Sequence, residues 1–421
     1  MNSDKGKMKH YELLFYASYS VFLFFSVLMS SLFFKYFDSL YKPMVVICTA
    51  LLLCKEALCR AINRRTIWGI AILYLLAAQI IYRGSGVVQI SFAAAFLFAF
   101  GARNVDFRRI CKCSLVIMSV VLVFVIASSM AGIIQNYRTE TSIRTREYLG
   151  FRYALYAPTI FANIVFLYIY LRGDRLKLIE AAIMFAIFLY LYKKTDARLT
   201  FALSSLTLVL ALLYKRYKRF FLQRRAIPVL MTTAFIVACL LSVVLTYKYN
   251  PSIGWMNKAN DFLGKRLELG HTSLSRFGAG FFGSSVIEWN GNGLDANGQK
   301  AIEEYLYVDN LYVQILQRYG VIFLVTYVAL GTLTMIRCYY RRDYLMLLLL
   351  MMLAGHGIID DLILYLQYNT FILMFGISVF GIFRDFKSRE TVRIYHNGNA
   401  WNVDISQEQL DRYRLLLRNS K

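Results

Sequence analysis

From residue 13 onward, runs of about 17–25 predominantly apolar residues recur along the chain, each long enough to cross a hydrocarbon core of about 30 Å. LLFYASYSVFLFFSVLMSSLFF near the start and VIFLVTYVALGTLTMI in the second half are representative. A bilayer cannot hydrogen-bond exposed main-chain groups, so such runs are expected to satisfy their own as helices. Twelve spans are predicted, near 13–34, 43–59, 66–82, 86–102, 113–134, 154–171, 178–192, 198–214, 226–247, 309–336, 344–361 and 369–384. The tenth is too long for a simple crossing. The fold class read here is an all-α polytopic membrane protein, with a transmembrane domain over 1–385 and a small cytoplasmic tail over 386–421. Composition agrees: of 421 residues 58% are hydrophobic and only 17% charged.

The net charge of +23 suggests nucleic acid only if its distribution is ignored. Twenty Lys and Arg fall in one set of short loops, among them Lys55, Arg60, Arg64, Arg103, Arg108, Arg109, Arg172, Arg175, Lys215, Arg216, Arg337, Arg341 and Arg342. The opposite set holds ten, including Lys35, Lys42, Arg83, Lys193, Lys194 and Arg198. The positive-inside rule makes the richer set cytoplasmic and puts both termini inside. Topology therefore accounts for the basicity, and no nucleic-acid partner is expected. None of the seven cysteines lies in a loop placed outside, so no disulfide framework is expected. The Cys111-Lys112-Cys113 pair lacks the second half of a zinc site, and the first apolar run is too long for a signal-peptide core.

This orientation leaves two distinctive loops outside. The first, between spans five and six, contains NYRTETSIRTREYLGFRY with Arg138, Arg144, Arg146 and Arg152. The second, about 248–308, is long enough to suggest function. Its Met256, Ala259, Phe262, Leu263 and Leu267 follow a helical pattern, predicting an ordered amphipathic segment on the membrane, while NGNGLDANGQ (290–299) reads as a turn region. In the tail, a hairpin about Asn397-Gly398 and a capping box opening at Ser406 are expected, forming a membrane-surface or partner-binding element. No internal repeat is seen, and so none of the symmetry many transporters carry.

Four features could carry chemistry. Arg198 opens span eight, as a snorkelling helix anchor or as a contact to an anionic headgroup. The outer arginines Arg138, Arg144, Arg146, Arg152, Arg266 and Arg276 could bind phosphate oxygens with their planar forks, or pair with Glu140, Glu147, Asp261 and Glu268. Asp309-Asn310 opens span ten, with Asp309, Tyr312, Val313 and Leu316 along one helical face. Gly320 is a plausible kink dividing a re-entrant half-helix from a full crossing. A helix N-terminus there favours a carboxylate, although Asp or Asn can also serve simply as N-cap. In HGIIDD, His356 and Asp360 share a face, either as a structural bond or as a proton-handling pair, and Asn369 is placed near the same cavity. Gly-rich phosphate loops, nucleotide fingerprints, metal clusters and nucleophile elbows are missing from the sequence. No cofactor or metal is expected, and an enzyme here would use a donor already activated in the membrane.

KTDARLTF, GKRLELGHTSLSRFGAGFFGSSV, VDNLYVQILQRYGVIFLVTYVAL and HGIIDDLILYLQYNTFILMFG, in that order, carry a resemblance. Over about residues 145–385 the chain resembles the Wzy-type bacterial polysaccharide polymerases and, more distantly, the O-antigen ligases and SEDS peptidoglycan polymerases. The resemblance implies a glycosyltransferase joining oligosaccharide repeat units carried on undecaprenyl diphosphate. It implies work at the outer face of the bacterial cytoplasmic membrane, among membrane lipid, with a flippase and a chain-length regulator as partners. Ligase-branch relatives carry a histidine where this chain has Asp309. On this reading Arg198 and Arg266 hold the diphosphate, with Arg276, Arg144, Arg146 or Arg152 assisting. Asp309 is then the favoured base, with Glu288, His271 and His356 as competitors. Trp255, Phe281, Phe282 and Trp289 either stack on sugars or dip into lipid. A flippase or transporter and a glycan ligase are the rival readings.

Overall fold

The computed structural model describes residues 10–59, 64–82, 87–141, 144–218, 226–295, 298–299, 304–387, 389–396 and 399–406. Helices dominate: α1 (His10–Met29), α2 (Phe34–Cys59), α3 (Arg64–Tyr82), α4 (Val87–Gly101), α5 (Phe107–Met130), α6 (Tyr156–Arg172), α7 (Leu178–Thr195) and α8 (Arg198–Arg216) lie in the first half. The rest are α9 (Ala226–Met231), α10 (Ala234–Tyr247), α11 (Gly254–Phe262), α12 (Arg266–Phe277), α13 (Leu311–Arg318), α14 (Val321–Tyr340), α15 (Tyr344–Ile359) and α16 (Leu373–Lys387). Two antiparallel hairpins complete the described elements: β1 (Arg138–Thr141) with β2 (Arg144–Glu147), and β3 (Arg389–His396) with β4 (Asn399–Ser406).

Five helices in the described residues are long and apolar enough to cross a membrane: Tyr11–Met29 within α1, then α2, α5, α8 and α14. Shorter apolar helices, among them α10 and α15, accompany them. Burial runs in the sense lipid would demand. Val116, Val120, Val123 and Phe124 on α5, and Leu240 and Leu241 on α10, are exposed although apolar, a surface too extensive for a water-soluble monomer. Polar side chains turn inward: Ser18 donates to the Cys48 carbonyl at 2.8 Å, and Asn163 donates to Thr370 Oγ1 at 3.1 Å. Such bonds join helices where no hydrophobic difference drives association.

Several boundaries depart from the hydropathy pattern. Helix α2 begins at Phe34 and not near 43, because the polar residues Lys35, Asp38 and Lys42 end an apolar run without ending a helix. The run 226–247 divides at Thr232 and Thr233, whose hydroxyls bond the Val229 and Leu230 carbonyls at 2.6 and 2.8 Å, a local alternative to helical bonding. The overlong tenth run also divides, into α13 and α14, at Gly320.

Gly320 sits at φ 93°, where a β-carbon would overlap the Phe281 carbonyl and the Gly283 nitrogen. Main chain crosses main chain here. Val321 N–H donates to the Gly280 carbonyl at 3.1 Å and Ile322 N–H to that of Phe281 at 3.3 Å, so the long loop before α13 satisfies the first donors of α14.

The long loop over about 248–308 is ordered by α11 and α12, a helix pair turned by Gly264 and Lys265 at φ 65° and 69°. The segment is ordered as expected, and much of its apolar stripe closes a satellite core: Met256 and Leu267 pack with Tyr249, flanked by Ala259 and Leu263. Phe262 alone of that set is largely exposed. The expected turn near 290–299 is pinned by Leu294 N–H to the Arg152 carbonyl at 2.8 Å and an Asn290–Leu306 bridge. In the tail, β3 and β4 pair with His396 opposite Asn399, the register of a two-residue connection. Asn397-Gly398 and the helix expected after Ser406 lie outside the described residues, as do Arg60 and Arg83.

Candidate functional site

A cavity of about 640 Å³ opens where α12, the segment 304–309, the start of α8 and the β2–α6 connection meet. Arg146, Arg198, Arg266, Arg276 and Asp309 all line it, joined by Tyr153 and Tyr305. Sequence positions spanning 163 residues thus converge on one space.

Arg266, the first residue of α12, is its most constrained member. The guanidinium donates through Nη1 to the Leu263 carbonyl (2.8 Å) and through Nε to those of Ile359 (2.8 Å) and Asp309 (3.2 Å). Its Nη2 lies 3.5 Å from Asp309 Oδ2, an ion pair at the edge of hydrogen-bond range. One side chain therefore clips three segments and faces a carboxylate. Burial raises the Asp309 carboxyl above its ordinary range, while Arg266 pulls it down, Asp360 pushes it up and Arg146 lowers it.

Asn310, not Asp309, is the helix cap. Its Oδ1 accepts from Tyr312 N–H and Val313 N–H at 3.0 and 3.1 Å, and its Nδ2 donates to the Ile358 carbonyl at 2.9 Å and to Ser242 Oγ at 3.1 Å. The tyrosine hydroxyl of Tyr312 donates to the Ala354 carbonyl at 2.8 Å, deep between helices. The adjacent pair thus divides its work: Asn310 holds α13, leaving the Asp309 side chain at the cavity wall.

The other arginines differ in their freedom. Arg198 pairs with Asp196 through Nε at 2.9 Å, with its side chain 55% exposed, and Asp196 itself closes α7 in the left-handed region. Arg146, on β2 opposite Thr139, has a buried Nε without a hydrogen-bond partner. Arg276 is exposed on the last turn of α12. Arg152 is placed away from the cavity lining. Its guanidinium stacks 4.0 Å above the Phe34 ring and donates to the Leu294 carbonyl at 2.9 and 3.2 Å. Arg138 pairs with Glu147, which Lys194 also reaches. Arg144 lies in β2, and its side chain is outside the described residues.

The HGIIDD residues sit behind the cavity wall. Asp360 caps α15, accepting from Thr159 Oγ1 and Leu362 N–H at 3.0 Å each, with His356 Nε2 at 3.6 Å. Neither lines the cavity. Asn369 caps the turn before α16 by accepting from Phe371 N–H at 3.0 Å. Asp361, which sequence reasoning passed over, accepts from Tyr307 OH at 2.9 Å and Gln314 Nε2 at 2.7 Å. Burial raises its carboxyl, and Asp360 and Asp309 raise it further. Of the other candidate bases, His271 bonds the Thr246 carbonyl through Nδ1 at 3.0 Å, and Glu288 is exposed; neither lines the cavity. Trp289 is held by Ser273 Oγ at 2.8 Å with Arg318 over its ring, while Trp255, Phe281 and Phe282 stay exposed.

The cavity is amphoteric. Lys265 pairs with Asp261 and Glu268 on its rim, and Asp196 pairs with Arg198. Arg146, Arg266 and Arg276 then face Asp309 and Glu304. Such a space can hold an anionic group by arginine forks and offer a carboxylate of raised proton affinity beside it. No protein-family model, curated protein or solved structure matches the chain.

Proposed function

We propose that the chain is a membrane-embedded glycosyltransferase that polymerises undecaprenyl-diphosphate-linked oligosaccharide repeat units at the outer face of the bacterial cytoplasmic membrane. The observation that carries this reading is the convergence of Arg146, Arg198, Arg266 and Arg276 with Asp309 on one cavity. On this reading the bundle makes twelve crossings with both termini inside, and α13 is a re-entrant half-helix whose capped N-terminus faces outward. Its eight residues, about 12 Å long, are too short to cross.

In the proposed step the acceptor hydroxyl oxygen attacks the anomeric carbon of the donor sugar. The bond from that carbon to the diphosphate oxygen breaks, its electron pair stays on the phosphate, and the hydroxyl proton passes to the Asp309 carboxylate. Arg198, Arg266 and their neighbours stabilise charge growing on the leaving diphosphate, fixed in place before the bond breaks. Arg266 serves both halves, since the guanidinium that would meet phosphate also holds Asp309. Tyr153 and Tyr305, which line the same cavity, are the aromatic side chains available to the sugars.

The test is glycan length in cells lacking the native protein and complemented with Asp309→Asn, Arg198→Lys or Arg266→Lys. Loss of polymer, with single repeats still reaching the outer face, is expected. Units trapped inside would point to translocation instead, and normal ladders from all three variants would remove the site assignment.

A further inference from the structure

The cavity does not end at its charged rim. Leu199, which lines it, begins a leucine edge on α8 that continues through Leu203, Leu206 and Leu210. Their spacing keeps all four on one face of the helix. None of them is buried, and Leu206 reaches 49% exposure. From Leu199 to Leu210 the edge runs about 16 Å away from the cavity, along a helix long and apolar enough to cross a membrane.

Helix α15, on which both α8 and α10 pack, carries a matching strip. Two of its faces are occupied near the cavity. His356 lies 3.6 Å from Asp360 Oδ2, to which Thr159 of α6 donates, and a β-carbon at Gly357 would press on the Tyr312 ring of α13. Helical spacing turns Met351, Gly355 and Ile358 onto a third face, and all three are partly exposed in a helix otherwise almost wholly buried. A β-carbon at Gly355 would meet nothing within 4 Å among the described residues, so the strip has an open notch. Its upper end reaches the cavity arginines: the carbonyl next after Ile358, that of Ile359, accepts from Arg266 Nε at 2.8 Å. The arginines alone would suit any phosphate, and the leucines any lipid chain. Joined end to end, they suit an amphiphile with an anionic head at the arginines and hydrocarbon along the helices.

We propose that the leucine edge of α8 and the Met351, Gly355 and Ile358 strip of α15 seat the hydrocarbon chain of the lipid whose anionic head enters the cavity. This rests on reading the cavity as the seat of a lipid-linked phosphate, and not on which step is performed there. The test uses the full chain in phosphatidylcholine nanodiscs and a long-chain polyprenyl diphosphate carrying a diazirine midway along its chain. After irradiation, labelled peptides are mapped by mass spectrometry. A phosphatidylcholine with a diazirine in its acyl chain reports ordinary bilayer contact. The polyprenyl label should be enriched over the phosphatidylcholine label on residues 199–210 and 351–358. Gly355→Leu fills the notch and should abolish that enrichment without lowering Tm, because leucine is a better helix former than glycine. Leu206→Trp obstructs the same path from α8 and should act alike, whereas Gly355→Ala, adding one carbon, should keep the enrichment. Enrichment in a chain that makes no polymer in cells would support the seat while removing glycosyl transfer, and polymer without enrichment would do the reverse. A polyprenyl pattern matching that of phosphatidylcholine, or enrichment unchanged in both Gly355→Leu and Leu206→Trp, overturns the proposal.

Discussion

Asn310→Ala should destabilise the protein by about 2–4 kcal/mol, the sum of two separate losses. The first is the cap. Asn310 Oδ1 accepts from two N–H groups of an eight-residue helix, and removing such a cap costs about 1 kcal/mol. The second is the Ile358 carbonyl, which loses the donor that reaches it at 2.9 Å. A buried acceptor left without a partner costs about 1–3 kcal/mol. Ser242 Oγ adds little, because a helical serine can turn to its own preceding carbonyl. Asn310→Ser separates the two: its hydroxyl keeps a cap oxygen but is too short to reach Ile358, so it should recover about 1 kcal/mol relative to alanine. The measurement is equilibrium unfolding of the purified chain in detergent, with far-UV dichroism to check helix content. Alanine within about 0.5 kcal/mol of the parent, the ordinary range for substitutions away from special features, would refute the reasoning. A serine variant as unstable as alanine would show that the cap contributes nothing.

Other substitutions separate the remaining roles. Because burial raises the Asp309 carboxyl, transfer activity should climb with pH as that group ionises and then level off. Arg266→Gln removes the cation that lowers it, so the limb should move to higher pH; a limb that stays put or moves down refutes Asp309 as the base. Gly320→Ala should sharply reduce folded yield, since its φ of 93° and the adjoining Phe281 carbonyl leave no room for a β-carbon; normal expression and Tm would contradict the crossing of loop and helix. Arg152→Lys should lower Tm while leaving the KM for lipid-linked donor unchanged, because lysine cannot reproduce both the Phe34 stack and the paired bonds to Leu294; a raised KM at unchanged Tm would return it to the binding site.

What could be read from sequence was set by how local the controlling physics is. Apolar runs announce helices because lipid imposes a requirement on each segment separately, and a glycine between Tyr319 and Val321 marks a break that almost no other residue tolerates. The cavity arginines were legible as a residue type, since arginines in loops that the charge count assigns to the outside need a reason. Their individual fates were not. Arg152 and Arg146 stand six residues apart in one basic loop, yet one lies over Phe34 and the other lines the cavity. Nothing in the intervening residues encodes which ring will arrive from α2. The hairpin β1–β2 went unread because its four-residue strands carry polar and charged side chains with no alternating apolar face. Tyr153 and Tyr305 enter the cavity from segments with no motif at all.

The three carboxylates at this end show how structural and reactive roles can be told apart by their partners. Asp360 spends both oxygens on Thr159, on the main chain of Leu362 and on the neighbourhood of His356. Asp361 Oδ2 is met by Tyr307 and Gln314, both neutral donors, and Asp361 does not line the cavity. Asp309 has neither arrangement: its partner is a guanidinium at 3.5 Å that is already committed to three carbonyls, and it faces open space. A carboxylate needed only to hold the fold would be expected to spend both oxygens as Asp360 does. Leaving Asp309 loosely held costs stability, and the arrangement makes sense if the open side is where a hydroxyl is received. The same logic predicts that Asp361→Asn, which keeps an acceptor for Tyr307 and Gln314, should retain activity that Asp309→Asn loses, although both carboxyls are raised by burial. Equal loss in the two variants, at equal Tm, would place the proton on the pair and not on Asp309.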